Sequence, residues 1–594
     1  MRLRPFALVT GLAATLAGSL HADGPLRIAD IAPAGSFLVI GADGIDGSIS
    51  RLGDSPLGGL WNTRAVQETI GEQMKEMLGD MAESLEDEGF EGEPKMPGGF
   101  GFAVYADLDE ETGMSRAFVL GFAEWMNDEE HAGRMFDFMV EQIEDGDDAR
   151  TDRKEVRGRE VMVVEQIVEE EMEGDDEFGG EFDAMMMFGN PDDFMPNLDR
   201  MYLVRDGGRI LLANDLLAID DALGTIDGDE GDHLADTDDW EQTTQQLGPA
   251  DAYLVLRTGP LQQLLAPLFM GPLGLVKPMI GEVFGDVRSY GFGASVPEPG
   301  EVGMVLTASM LMPEGKTGLF SLIEGTGPVG QAPPAVVGGD AVGYGTIRVD
   351  FAKFVPLVER IAMAMPMGGE EIEMSMEQFG PMMDAGLATM GPEVHVISTV
   401  SRPIEVDSAA TTLVIPTSDP KKVQPLLAMF GPGMDLEPRD FLGETIWSSE
   451  INGFASAVAG NWVVLGSPRG VEQVLRSLGN GGDGHPLAGV DQFNDAVAKL
   501  PAGDVVGWGW TDIVSQYAAQ REAMKGMMDM LGAGAFDEFA PVDPAQADQL
   551  DFAADLMDSL TPEQLADHVG PAVWTFSTDD LGLVYRQWFL NPVK

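Results

Sequence analysis

The chain has 594 residues, 100 acidic against 35 basic side chains, no cysteine and 44% apolar content. At roughly 150 residues per domain the length allows about four domain-sized units, and the apolar fraction lets each bury a core, which excludes wholesale disorder. The lack of cysteine excludes disulfide frameworks, thiolate metal sites and cysteine nucleophiles, and a net charge of −65 excludes a nucleic-acid-binding surface of clustered Lys and Arg.

Arg2 and Arg4 precede an apolar run, Phe6 to Leu16, and small residues follow up to Ala22. This pattern predicts a secretory signal peptide over 1–22, cleaved after Ser19 or Ala22, and therefore an exported (periplasmic or extracellular), soluble mature chain. No later segment gathers about 20 apolar residues without interruption: Leu261 to Phe284, the best of them, contains Pro267, Gly271, Pro272, Gly274, Lys277 and Pro278. In such a compartment the acidity reads first as a solvated surface, and second as an attraction for cations or basic partners that needs a localised site.

Further along, Ser36 to Ile40 reads as a strand. Between Arg64 and Leu85, Val66, Ile70, Met74, Met77, Met81 and Leu85 recur at three- and four-residue steps, the stripe of an amphipathic helix. Phe102 to Tyr105 turns through Glu110 to Gly113 into Ala117 to Phe122, a hairpin, and a helix is expected over Glu129 to Glu144. Residues 169–198 carry runs of Glu and Asp, paired glycines and Met185-Met186-Met187 without periodicity, and read as a mobile acidic insertion. Gly208 to Asn214 is a strand leading to a helix that ends at Leu223. Ala252 to Thr258 passes from strand to helix, and Arg288 to Leu311 is a hairpin turning at Pro297 to Gly300.

The same order then recurs. Gly208 to Asn214 matches Gly460 to Gly466 at an offset of 252, which also sets His233 opposite His485; after a one-residue slip Trp240 falls opposite Phe493, Leu247 opposite Leu500 and Asp251 opposite Asp504. The strand at Ser36 pairs with that at Ala341, Phe118 to Gly121 with Thr411 to Ile415, and the closing hairpin with Ala572 to Leu590. The expected organisation is two homologous halves, 23–327 and 340–594, joined by a Pro/Gly linker at 328–339. Hairpins alternating with helices make the expected fold class α+β: in each half an antiparallel sheet with helices covering one face.

Few residues suggest chemistry. Asp227, Asp229 and Asp232 offer hard oxygen ligands for calcium, as does Asp107 to Gly113, but neither run has the glycine at position six or the closing glutamate of an EF-hand loop. His233 and His485, as a repeat-related pair, are candidates for a common role, with a polar residue at a helix entrance as the simpler account. The chain has 36 methionines, and thioether clusters invite copper(I). Yet Ile372, Met376, Phe379, Met383, Leu387 and Met390 fall at helical spacing, so core packing is expected instead. Gly315-Lys316-Thr317 lacks the earlier glycine of a phosphate loop, since residue 310 is Met310. The Gly-aromatic-Gly steps at 99–101, 291–293, 343–345 and 507–509 lie in strand patterns, where glycine lets a neighbouring ring lie across the strand. No catalytic residue and no cofactor are indicated.

Pro33-Ala34-Gly35-Ser36-Phe37-Leu38-Val39, then Ser55-Pro56-Leu57-Gly58 and Trp61, resemble the opening of large exported bacterial proteins classed as domains of unknown function. The resemblance implies export and the strand–helix order, and no activity, cofactor or site residue. The leading expectation is a non-enzymatic envelope or secreted scaffold or binding protein. The alternatives are a carrier of an apolar, lipid-like ligand in a Met-lined cavity, and a carboxylate-dependent hydrolase.

Overall fold

A computed structural model describes residues 26–67, 97–108, 115–125, 128–144, 149–167, 196–266, 274, 277–365, 369–405, 408–430, 435–449, 451–479, 485–532 and 559–593. The signal segment, most of the helix expected at 64–85, the turn at 110–113 and nearly all of the 169–198 insertion lie outside these residues. In chain order the first part forms α1 (Ile28–Ile31), β1 (Ser36–Asp43), α2 (Ile45–Asp54), α3 (Pro56–Trp61), β2 (Gly99–Leu108), β3 (Ser115–Glu124), α4 (Glu129–Glu144), β4 (Ala149–Val156), β5 (Arg159–Gln166), β6 (Arg200–Asp206), β7 (Arg209–Ala213), α5 (Leu216–Asp227), α6 (Asp238–Leu247), β8 (Ala252–Arg257), α7 (Thr258–Leu264), α8 (Lys277–Phe284), β9 (Ser289–Ser295) and β10 (Val302–Leu311). The second part forms β11 (Ala341–Arg348), α9 (Phe354–Ala364), α10 (Gly369–Leu387), β12 (Glu393–Val400), β13 (Ala409–Pro416), α11 (Pro420–Phe430), β14 (Glu437–Phe441), β15 (Glu444–Ser449), β16 (Phe454–Ala459), β17 (Trp462–Gly466), α12 (Pro468–Gly479), α13 (Asp491–Val497), β18 (Gly507–Thr511), α14 (Ile513–Gly532), α15 (Pro562–Ala566), β19 (Ala572–Thr578) and β20 (Gly582–Leu590).

All strand pairings are antiparallel, so the fold is α+β with one large antiparallel sheet. The first ten strands are arranged β4-β5-β6-β7-β3-β2-β1-β8-β9-β10. The second ten are arranged β14-β15-β16-β17-β13-β12-β11-β18-β19-β20, the same order with every strand replaced by the one ten places later. β10 then pairs with β20, from Val302 opposite Leu590 to Leu311 opposite Gly582, which closes the two sets into a single 20-stranded sheet with Thr307 facing Arg586 near the centre of the joint.

Hydrogen bonds fix which residues correspond. Leu234 N donates to Ala32 O at 2.8 Å and Leu487 N to Val337 O at 3.0 Å; Asp251 N donates to Ala294 O at 2.8 Å and Val506 N to Phe576 O at 2.9 Å. Two-residue hairpins agree: Arg157 and Gly158 (φ 50° and 75°) stand where Leu442 and Gly443 do (φ 56° and 85°), and Gly207 (φ 59°) where Gly460 does (φ 56°). Left-handed backbone at these points is what a tight hairpin demands, and it makes the turn register unambiguous. The repeat offset at this hairpin is thus 253, one more than similarity of the strands suggests. Val506, not Asp504, stands opposite Asp251.

Both sheet faces are covered, where helices on one face only were expected. On one face α5 and α6 bury Ile219, Ala222, Leu223, Trp240 and Leu247 against Val39, Leu120, Leu211 and Val255. There α12 and α13 likewise bury Val471, Leu475 and Phe493 against Tyr344, Val464, Trp508 and Trp510. On the other face α4 packs Met135 and Phe138 on Met162, Leu203 and Ile210, α11 packs Val423 on Ile415 and Val463, and α7 packs Leu264 on Val104 and Val119. Alternation along each strand supplies both faces with apolar side chains, so each needs its own cover. The 328–339 stretch, read as a linker, is built into the second core through Val329, Val336 and Val337. The stripe residues Met376, Phe379, Met383 and Leu387 of α10 are half-buried, and Met374, off the stripe, is exposed, because α10 packs mainly on its neighbouring helices.

Helices also cross the joint in both directions. Leu57 and Leu60 of α3 pack against Leu565 and Val569, and His568 Nδ1 lies 2.9 Å from Pro56 O. From the other side Arg360 of α9 pairs with Glu282 of α8 at 3.1 Å.

Candidate ligand-binding site

Between the helices that cover its outer parts, the second face of the sheet is open at the joint among the described residues. There β2, β1, β8, β9, β10 and β20 line a trough of about 450 Å³. Register explains its composition. Ile40, Leu254, Phe292, Ala308 and Tyr585 are direct cross-strand neighbours in one row, and Ala252, Ala294, Leu306 and Gln587 form the next, so every second residue of each strand points into it. Phe292 is 51% exposed, an unusual position for a large apolar side chain in a sheet. No Asp, Glu, Lys, Arg or methionine is among the lining residues. The polar side chains that point into it are Tyr585 and Gln587, the Tyr585 hydroxyl donating to Gln587 Oε1 at 3.0 Å. Burial raises the Tyr585 hydroxyl above its usual titration range.

On the second-half side the trough stops at an indole. Trp574 lies across Gly345 and Gly509, its cross-strand neighbourhood, and a Cβ on Gly345 would stand 2.7 Å from the ring. Its ring centroid is 5.8 Å from that of Tyr585. The glycines at 345 and 509, expected to let an aromatic lie across the strand, do so. Tyr253 rests against Gly41 in the same manner on the opposite face.

A second polar feature lies where β1 ends. Asp43 Oδ1 and the Tyr253 hydroxyl are buried with no hydrogen-bond partner among the described residues. Burial pushes the Asp43 carboxyl up to about 6, against the opposing pull of the Arg27 guanidinium, and burial holds the Tyr253 hydroxyl well above its usual range.

The residues singled out from sequence are not brought together. Asp227 is held by the Arg159 guanidinium at 2.7 and 2.8 Å, and Asp229 by Arg157 at 2.6 Å, so two of the three calcium candidates serve as arginine partners. Hydrogen bonding to Arg159 lowers the Asp227 titration. Among the described residues no group of three His, Asp or Glu is placed to hold a metal ion. His233 and His485 do not correspond: His233 and Pro486 make the equivalent bridges, to Pro33 and Gly338, and Asp232 stands opposite His485. His233 Nε2 lies 2.9 Å from the Thr225 hydroxyl at the entrance to the turn Leu234–Asp236, and His485 is exposed, so the two stand in different surroundings. Lys316 of the rejected phosphate loop donates to Asp579 O. No helix among the described residues is long and apolar enough to cross a membrane.

The trough was missed in the sequence because its residues come from six strands between Ile40 and Gln587. The usable signal was Gly291-Phe292-Gly293, an aromatic between two glycines on a strand whose alternation leaves the ring on the open face. No protein-family model, curated protein or solved structure matches the chain.

Proposed function

We propose that the protein is an exported, non-enzymatic binding protein, built from two copies of one ancestral ten-strand unit, that carries an apolar, lipid-like ligand in the trough at their joint. The observation that supports this reading is the trough itself: an apolar depression within the volume range of small-molecule sites, with few polar groups to fix orientation. The identical strand order of the two sets favours duplication, and the basic and apolar start of the chain, like its resemblance to exported proteins, favours export. The walls are aliphatic and aromatic and not methionine, which sets this carrier apart from the Met-lined cavity expected from composition. A pure scaffold has no use for an exposed Phe292 between two covered regions.

The neutral dye Nile red tests the reading. Its fluorescence should rise on binding to the wild-type protein and fall to background with Ala308→Arg, which places a cation on the trough floor, at unchanged circular dichroism. Equal dye binding by both proteins would move the ligand site elsewhere and leave the scaffold reading in its place.

A further inference from the structure

Resting on the carrier reading, we infer that the trough takes one uncharged, single-chain amphiphile, with its polar head at Tyr585 and Gln587 and its chain running over Ala308 and Phe292 toward Ile40. Three observations converge on this. The row from Ile40 on β1 through Leu254, Phe292 and Ala308 to Tyr585 on β20 crosses five adjacent strands. At about 4.8 Å per strand spacing it is roughly 19 Å long, on the order of one extended long alkyl chain. The side-chain hydrogen-bonding groups gather at one end of that row, where the Tyr585 hydroxyl and the Gln587 amide are coupled at 3.0 Å. Beyond them Trp574, seated on Gly345 and Gly509, closes this end of the trough, so a chain whose head sits here can run only toward Ile40.

Charge decides the head group. A carboxylate or phosphate entering this end would lose water and meet an amide and a phenol, with no lysine or arginine lining the trough, in a chain whose net charge is −65. Desolvating an anion without a cation or a full set of donors is strongly unfavourable. A hydroxyl head meets the same groups as ordinary donor and acceptor, so a monoacylglycerol or long-chain alcohol fits where the fatty acid of the same length does not.

Displacement of bound Nile red by 1-monomyristoylglycerol and by myristate at pH 8 compares the two heads on one chain length. The monoacylglycerol should displace the dye at least tenfold more effectively. Gln587→Lys should raise the effect of myristate about tenfold while changing that of the monoacylglycerol little. Equal displacement by the two lipids, displacement by neither, or a lysine variant without gain for myristate would overturn the head-group assignment while dye binding itself still stood. Loss of the dye signal from the wild-type protein would instead overturn the carrier reading on which the assignment rests.

Discussion

The two ten-strand sets meet the same ladder with different side chains. On the open face the first presents Ile40, Leu254 and Phe292, three medium or large groups side by side with space above them. The second presents Gly345, Gly509 and Trp574, two bare backbones under one ring. On the opposite face Thr243 and Ser309 of the first, the former bonded to Ser289, stand where the second has Ala496 and Trp588. At the strand ends Asp43 and Asp251 stand where Arg348 and Val506 do. Strand order and hairpin turns are common to both sets, whereas volume and polarity are not. A backbone ladder satisfied by its own hydrogen bonds leaves side chains free to differ, and the open trough exists only because they do.

Exchanging counterparts across this comparison gives its sharpest tests. The largest effect is expected from Asp251→Val, which installs the residue found at 506. Asp251 accepts from Val296 N at 2.6 Å and Ser48 Oγ at 3.0 Å and pairs with Arg51 at 3.2 Å, with both side chains mostly buried. Removing the carboxylate should cost about 3–5 kcal/mol in urea denaturation, because Arg51 then stays buried without it. A cost below about 1 kcal/mol would show that the first set tolerates the second's solution.

Next comes Asp43→Asn. The folded carboxyl titrates near 6, above its unfolded value, so the folded state binds the proton more tightly. Wild-type stability should therefore rise as pH falls through 6 toward 4, and the penalty of the buried charge is fully present above 6. The asparagine variant should flatten this dependence in melting temperature and gain no more than about 3 kcal/mol at pH 8. An unchanged pH profile would remove Asp43 as its source.

Gly509→Ala should cost about 1–3 kcal/mol, since the new methyl displaces the Trp574 ring. Tryptophan emission should shift to the red as the indole leaves its seat. An unaltered spectrum would show that the ring is held by something other than the glycines. Arg157→Ala should give the smallest change, within the error of the melting temperature: the guanidinium and its partners Asp220 and Asp229 are partly exposed, and Leu442 serves at the same turn without any ion pair.

Much of the architecture was legible. The helix Glu129–Glu144 falls where a helix was expected after the Ala117 to Phe122 strand, and the hairpin at Arg288 to Leu311 turns where Pro and Gly put it. The repeat register was misread by one residue because apolar similarity tolerates a slip, whereas only the residue forced to positive φ marks the turn; Gly207, not Gly208, is that residue. The same slip produced the His233–His485 pairing. Covered faces were undercounted because alternating apolar residues look the same whether their partners are helices on one side or both. The trough depends on which strands are neighbours, and β10 beside β20 is a pairing that no local pattern announces.

That last pairing has a consequence for how the chain is made. β10 is a long apolar strand whose free edge finds its partner only after residues 312–581 have been synthesised, roughly 15–55 s at common elongation rates. The outer edges of the finished sheet are protected by their composition: β4 carries Arg150, Asp152, Arg153, Lys154 and Glu155, and β14 carries Pro438. β10, Val-Gly-Met-Val-Leu-Thr-Ala-Ser-Met-Leu, has no such guard. Until β20 arrives it is a template for any other extended strand, so the interval between the two is when a nascent copy is most open to pairing with another, and a chain cut short before Gly582 keeps that edge for good.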